Sequence, residues 1–140
     1  MFLNNVNLVK QKFGAFDPKL VLRLLSVHST ALYGSPLWKL DSAEHKKLNR
    51  SWNIAVKMIW NLPHATHTRL LEDICPVAHL ENMLQARYIG FAQSLHCSSK
   101  SWLRLLFKNC SQNFGSVTGS NIDYVFRKYS FNTLNEMFDG

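Results

Sequence analysis

The chain has 140 residues, 46% of them hydrophobic and 18% charged. That composition suits one folded domain with a buried core and excludes a disordered or low-complexity class. The formal net charge of +7 favours an anionic partner, or else a charged face that serves only solubility.

Helical periodicity runs through the chain, with no strand alternation. Residues 4–13 form a weak helix, and residues 1–16 are expected to be poorly anchored. Asp17-Pro18 supplies an N-cap acceptor followed by proline at the first helical position. The helix after it carries Leu20, Leu24, Val27 and Ala31 on one face, and Val21, Leu25, His28 and Leu32 on the next. Most of its circumference is apolar, which predicts burial between neighbours. Gly34 and Pro36 end it.

Asp41 and Glu44 stand at capping-box spacing and open a helix over 42–61. At about 100° per residue, Leu48, Trp52, Ala55 and Ile59 fall within about 60° of arc. Lys46, Arg50 and Lys57 fall within about 40°, nearly opposite, with Asn53 beside them. The helix therefore divides into a core face and a basic face.

Beyond Pro63, Thr66 or Thr68 caps a short helix carrying Leu70, Leu71 and Ile74, and Pro76 breaks it. The helix over 77–96 carries Val77, Leu80, Leu84, Tyr88, Phe91 and Leu95. The one over 100–111 uses Trp102, Leu105, Leu106 and Cys110 as its core face. Gly115–Ser120 is the clearest flexible loop. Asn121 then caps a helix bearing Ile122, Val125, Phe126 and Tyr129, and a last turn falls near 133–138. The fold class read from this pattern is all-α: an irregular helical bundle of about five to six helices with short connections. A single domain spans 1–140, with 112–140 loosely packed.

Charge is unevenly placed. Residues 1–70 hold ten Lys/Arg against three Asp/Glu, and residues 71–140 hold six of each. Cys75, Cys97 and Cys110 are odd in number and widely spaced, as expected of reduced thiols in the nucleus or cytoplasm. The start lacks a basic segment leading into an apolar one, so no signal peptide is expected. No apolar run approaches the roughly 18 residues that span a bilayer, so no membrane partner is expected.

The basic face is the leading candidate site. Lys46, Arg50 and Lys57, with Lys47 and Lys39 nearby, have the chemistry to follow a phosphate backbone without reading bases. The plain alternative is a solvated helix surface. Tyr33, Trp38 and Trp52 have rings that can stack on sugars or bases, but Trp52 lies on the core face and reads as core. His64 and His67 form an HxxH with Cys75 downstream. Zinc needs about four convergent ligands, and the cysteines are too scattered to complete a set. His96 and Cys97 are adjacent at a helix end and do not face each other as a catalytic dyad would. Gly115–Gly119 lacks the lysine and the preceding strand of a phosphate loop. No metal or cofactor is expected.

The stretch from Ala31 to Ile74 resembles the helical, thumb-like region that follows the palm in reverse transcriptases of non-LTR (LINE-type) retrotransposons. Its YGSPLW turn, WNIAV helix and LPHATHTRLL linker match that region's motifs in order and spacing. Thr118-Gly119-Ser120-Asn121-Ile122 resembles a later segment of the same family. The likeness is best over about 20–95. It implies a thumb that grips an RNA–DNA or RNA template–primer duplex, with Lys39, Lys46, Lys47, Arg50 and Lys57 as the contacts. It also implies that catalysis resides elsewhere. Polymerase chemistry needs clustered carboxylates that hold two metal ions. The family supplies them from a palm motif with two adjacent aspartates, which this chain lacks. Its only adjacent acids are Glu72-Asp73. The chain is therefore expected not to be an enzyme by itself. The competing reading is a helical protein–protein interaction module without nucleic-acid binding. It requires exposed apolar surface on Asp17–Tyr33, where the thumb reading requires the basic face.

Overall fold

In the computed structural model, which describes residues 2–28, 32–75 and 79–139, every regular element is helical. In chain order these are α1 (Phe2–Phe13), α2 (Pro18–His28), a 3-10 turn (Ser35–Leu37), α3 (Ala43–Ile59), α4 (Thr68–Ile74), α5 (Leu80–His96), α6 (Ser101–Gln112), α7 (Val117–Tyr129) and α8 (Leu134–Asp139). Only seven residues form α4 and six form α8, so six longer helices carry the all-α fold that periodicity predicts. Ala31, Pro76 and Val77, together with the side chains of His28 and Glu72, lie outside the described residues.

The chain comprises two compact units. One comprises Met1–Tyr33 and Lys46–Leu80, the other Gly34–His45 and Glu81–Gly140.

In the first unit, Asp17 opens α2 as expected, its Oδ1 accepting from the Lys19 N–H at 2.8 Å. The buried set includes Phe2, Val6, Val21, Leu22, Leu25, Trp52, Ala55, Val56 and Ile59. Phe2 stacks tilted on Trp52, with ring centroids 6.0 Å apart. Lys10 reaches the C-terminal end of α3, where Nζ donates to the Met58 carbonyl at 2.7 Å. The expected poor anchoring of 1–16 is thus overturned. Burying Phe2 and Val6 stabilises by about 1.5–3 kcal/mol each, enough to hold one short helix in place.

Helix α2 also departs from expectation. Val21, Leu22 and Leu25 are buried, but Leu20 is exposed and Val27 is 70% exposed. An all-round apolar circumference predicts two packed faces, and only one is covered within the described residues.

In the second unit, Leu84, Tyr88 and Ala92 recur every four residues and bury one stripe of α5. Phe107, Ile122, Val125 and Met137 of the remaining helices are buried in the same unit. The expected loop at 115–120 is largely helix. Ser116 is the N-cap of α7, its Oγ accepting from the Gly119 N–H at 2.9 Å. A Cβ at Gly119 would collide with the Asn113 carbonyl oxygen, so glycine lets the two backbones approach.

Asn121 does not cap α7. It lies inside the helix and is buried, and it holds the backbone that follows the 3-10 turn. Its Oδ1 accepts from the Leu40 N–H at 2.8 Å and its Nδ2 donates to the Trp38 carbonyl at 2.7 Å. Together with buried Ile122, Val125 and Met137, this clamp corrects the expected loose packing of 112–140.

Helix α6 buries a face displaced from the expected one, and of the expected set Cys110 alone is half-buried. Phe107 is buried, whereas Trp102 and Leu105 are each 60% exposed and Leu106 is 54% exposed.

Candidate nucleic-acid interface

The basic face is built on α3, whose ends are closed by local chemistry. The start lies one residue later than Asp41 suggests. Ser42 Oγ accepts from the His45 N–H at 3.1 Å and acts as the cap. At the far end Asn61 adopts the left-handed conformation, with φ 52°. The Asn61 N–H donates to the Met58 carbonyl at 3.3 Å and the Leu62 N–H to the Lys57 carbonyl at 2.8 Å. That pair of bonds is a Schellman ending, with asparagine where glycine is commonest and Pro63 stopping any continuation. Lys10 closes it further, donating to Asn61 Oδ1 at 2.9 Å.

Between these ends the two faces separate as predicted. Trp52, Ala55, Val56 and Ile59 are buried, and Leu48 is half-buried. Trp52 is therefore core, with no face free for stacking on a nucleotide. Lys46, Lys47 and Arg50 are exposed on the other side. Lys46 and Arg50 stand one helical turn apart, a rise of about 6 Å. Among the described residues, neither Lys47 nor Arg50 takes part in an ion pair.

Lys57 differs from the others. It is half-buried, and its Nζ donates to the His64 carbonyl at 2.9 Å. It ties α3 to the loop ahead of α4, which leaves its ammonium less available to a phosphate. Lys39 is exposed and belongs to the second unit. Lys46 and Arg50 thus share one open helical face of the first unit, with Lys47 exposed beside it.

The HxxH loop has a structural use. His67, not Thr66 or Thr68, is the N-cap of α4, with Nδ1 accepting from the Arg69 N–H at 3.4 Å. Among the described residues no three His, Cys, Asp or Glu converge as metal ligands. Cys75 is buried, Cys97 exposed and Cys110 half-buried, all as free thiols. Tyr33 is 88% exposed, while Trp38 is half-buried and its carbonyl is held by Asn121. No described helix is long and apolar enough to cross a membrane.

The second unit holds a polar cluster that periodicity does not reveal. Glu81 Oε1 accepts from Tyr124 Oη at 2.7 Å, Lys128 Nζ at 2.8 Å and Gln85 Nε2 at 3.0 Å. Burial alone would raise its pKa. The Lys128, Tyr124 and Gln85 bonds outweigh burial and hold the carboxyl below its ordinary range. The Tyr124 phenol is pushed up to about 12, first by burial and then by its bond to the Glu81 carboxylate. Burial also pushes the Tyr88 phenol up, and its hydroxyl donates to the Thr118 carbonyl at 3.0 Å.

Sequence reasoning missed Asn121 and Lys10, because a side chain that satisfies distant backbone leaves no periodic trace. It also missed a charge pattern inside the balanced second half. Between Glu81 and Asp123 the chain has no Asp or Glu, yet it carries Arg87, Lys100, Arg104 and Lys108. No family model, no curated protein and no solved structure matches this chain.

Proposed function

We propose that the chain is a thumb-like fragment of an RNA-directed DNA polymerase of the non-LTR retrotransposon type. In this reading it holds a template–primer duplex through α3, and a palm outside this chain supplies the catalytic carboxylates. The observation that carries the reading is the exposure of Lys46, Lys47 and Arg50 on one face of a helix whose other face is buried. Cations fixed on a rigid helix follow phosphates without reading bases. That is the requirement for a duplex that moves as it is copied. The resemblance of the YGSPLW, WNIAV and LPHATHTRLL motifs supplies the polymerase context. The chain's own residues supply only the grip.

The test is binding of a labelled RNA–DNA duplex by the wild-type chain and by Lys46→Glu/Arg50→Glu, with circular dichroism on both. The double variant keeps its helical signal and loses salt-dependent binding. Unchanged affinity would remove α3 as the interface.

A second reading is favoured by one observation. Leu20, Val27 and Tyr33 are exposed along and just beyond α2, as a helical protein–protein interaction module requires. Under that reading Val27→Lys abolishes capture of a protein partner, and charge reversal on α3 has no effect.

A further inference from the structure

We infer that the second unit carries a separate binding groove for single-stranded nucleic acid, lined by α6 and α7. The groove has a volume of about 730 Å³. That lies within the roughly 300–1,000 Å³ typical of sites that enclose a small molecule or one extruded group. Arg104 and Lys108 line one side of it, with the hydroxyl of Ser111 and the amide of Gln112 further along the same helix. Phe126 lines it from α7, and the His96 imidazole lines it from the end of α5.

Three features point to an anionic, planar occupant. First, most of the groove's lining comes from the stretch between Glu81 and Asp123 that holds no carboxylate, and no Asp or Glu lines it. Arg104 and Lys108 are exposed, four residues apart on one helix face, and neither is in an ion pair among the described residues. Lys100 extends the same row by one more turn. A row of cations with a rise of about 6 Å per step can accompany a phosphodiester backbone.

Second, the groove offers aromatic surface. Phe126 is half-buried, and the His96 ring is held against Phe107 and Phe138 at centroid distances of 6.2 and 5.3 Å. Rings held in place by their neighbours lose little freedom when a base stacks on them.

Third, the Gln112 amide is a neutral hydrogen-bonding group of the kind that meets base edges or sugar hydroxyls, while the Ser111 hydroxyl donates to the Lys108 carbonyl at 2.8 Å and offers only its lone pairs. A concave site also suits a strand whose bases turn inward better than it suits the flat surface of a bilayer. The proposal does not depend on the α3 reading, because its residues all lie in the second unit.

The test uses the full chain with two fluorescein-labelled probes, oligo(rU) of twelve nucleotides and an RNA–DNA duplex of equal length. Anisotropy is measured for wild type, Arg104→Glu/Lys108→Glu and Lys47→Glu/Arg50→Glu. Reversing Arg104 and Lys108 weakens oligo(rU) roughly tenfold or more and leaves duplex affinity within about twofold. Reversing Lys47 and Arg50 leaves oligo(rU) binding in place whatever it does to the duplex. If the α6 reversal misfolds by circular dichroism, Arg104→Gln/Lys108→Gln replaces it, with the same loss in smaller degree. Three results would overturn the groove: unchanged oligo(rU) affinity in the α6 variant, no oligo(rU) binding by wild type, or wild-type binding only to phosphatidylserine vesicles.

Discussion

Asn121 donates from Nδ2 to the carbonyl of Trp38 at 2.7 Å, a contact that spans 83 positions of sequence. Its Oδ1 takes the Leu40 N–H, so one buried amide satisfies both backbone groups of a bend that has no sheet or helix to do so. Asn121→Leu leaves a donor and an acceptor buried without partners. The expected loss is roughly 2–6 kcal/mol in urea unfolding, from about 1–3 kcal/mol for each orphaned group. Asn121→Asp keeps the acceptor for Leu40 but sets a buried carboxylate against the Trp38 carbonyl, so it too destabilises, more so above its pKa than below it. Equal stability of Asn121→Leu and wild type would show that the clamp is dispensable.

Two glycines provide opposed expectations. At Gly119 a Cβ would strike the Asn113 backbone, so Gly119→Ala destabilises by about 1–3 kcal/mol. At Gly90, inside α5, a Cβ meets nothing within 4 Å. Gly90→Ala therefore stabilises by about 0.5–1 kcal/mol through helix propensity and a less flexible unfolded chain. Thermal melts of the two variants should move in opposite directions, and a shared direction would contradict the geometry.

The Glu81 cluster makes stability depend on pH at both ends of the scale. The folded pKa of Glu81 lies below the ordinary 4.5, so its contribution is present above that value and is lost as pH falls through the folded one. Tyr124 is the reverse case. Its folded pKa is raised from 10.0 to about 12, so its contribution is intact below pH 10.0 and is lost as pH climbs towards about 12. Tyr124→Phe should flatten the alkaline limb of the stability profile and shift the Glu81 titration upwards. A carboxyl titration unmoved by the substitution would separate the two groups.

Lys57 and Arg50 sit on the same face of α3 but should respond differently. Lys57→Met breaks the bond to the His64 carbonyl and costs about 0.5–1 kcal/mol of stability, with little change in duplex affinity. Arg50→Met leaves stability unchanged and weakens the duplex. The reverse pattern would make Lys57 the phosphate contact.

Under the proposed fragment reading, in which a palm outside this chain supplies the carboxylates of the two-metal reaction, the chain alone extends no primer with Mg²⁺. Genuine extension by clean protein would overturn the fragment reading.

The sequence reveals which segments are helical better than it reveals which faces pack. On α3, apolar and basic residues are segregated, so the core face follows from spacing alone. On α6, Trp102, Leu103, Leu105, Leu106, Phe107 and Cys110 leave two faces in competition, and tertiary packing, including Phe107 against His96, selects the one with Phe107. Capping errors are similar in kind. Asp41, Thr66 and Asn121 are all good cap residues, but Ser42, His67 and Ser116 are the ones whose acceptors meet the first free N–H groups. Of the basic site, the exposed trio was legible. The engagement of Lys57 was not, because its partner is the backbone carbonyl of a loop.

The measurement that bears most directly on the central claim is the salt dependence of RNA–DNA duplex binding. The slope of log affinity against log salt counts the phosphates neutralised. Reversing Lys46, Lys47 and Arg50 together should flatten that slope by about 2–3, with the helical circular dichroism signal retained. An unchanged slope in a folded triple variant would contradict the assignment of α3 as the surface that grips the duplex.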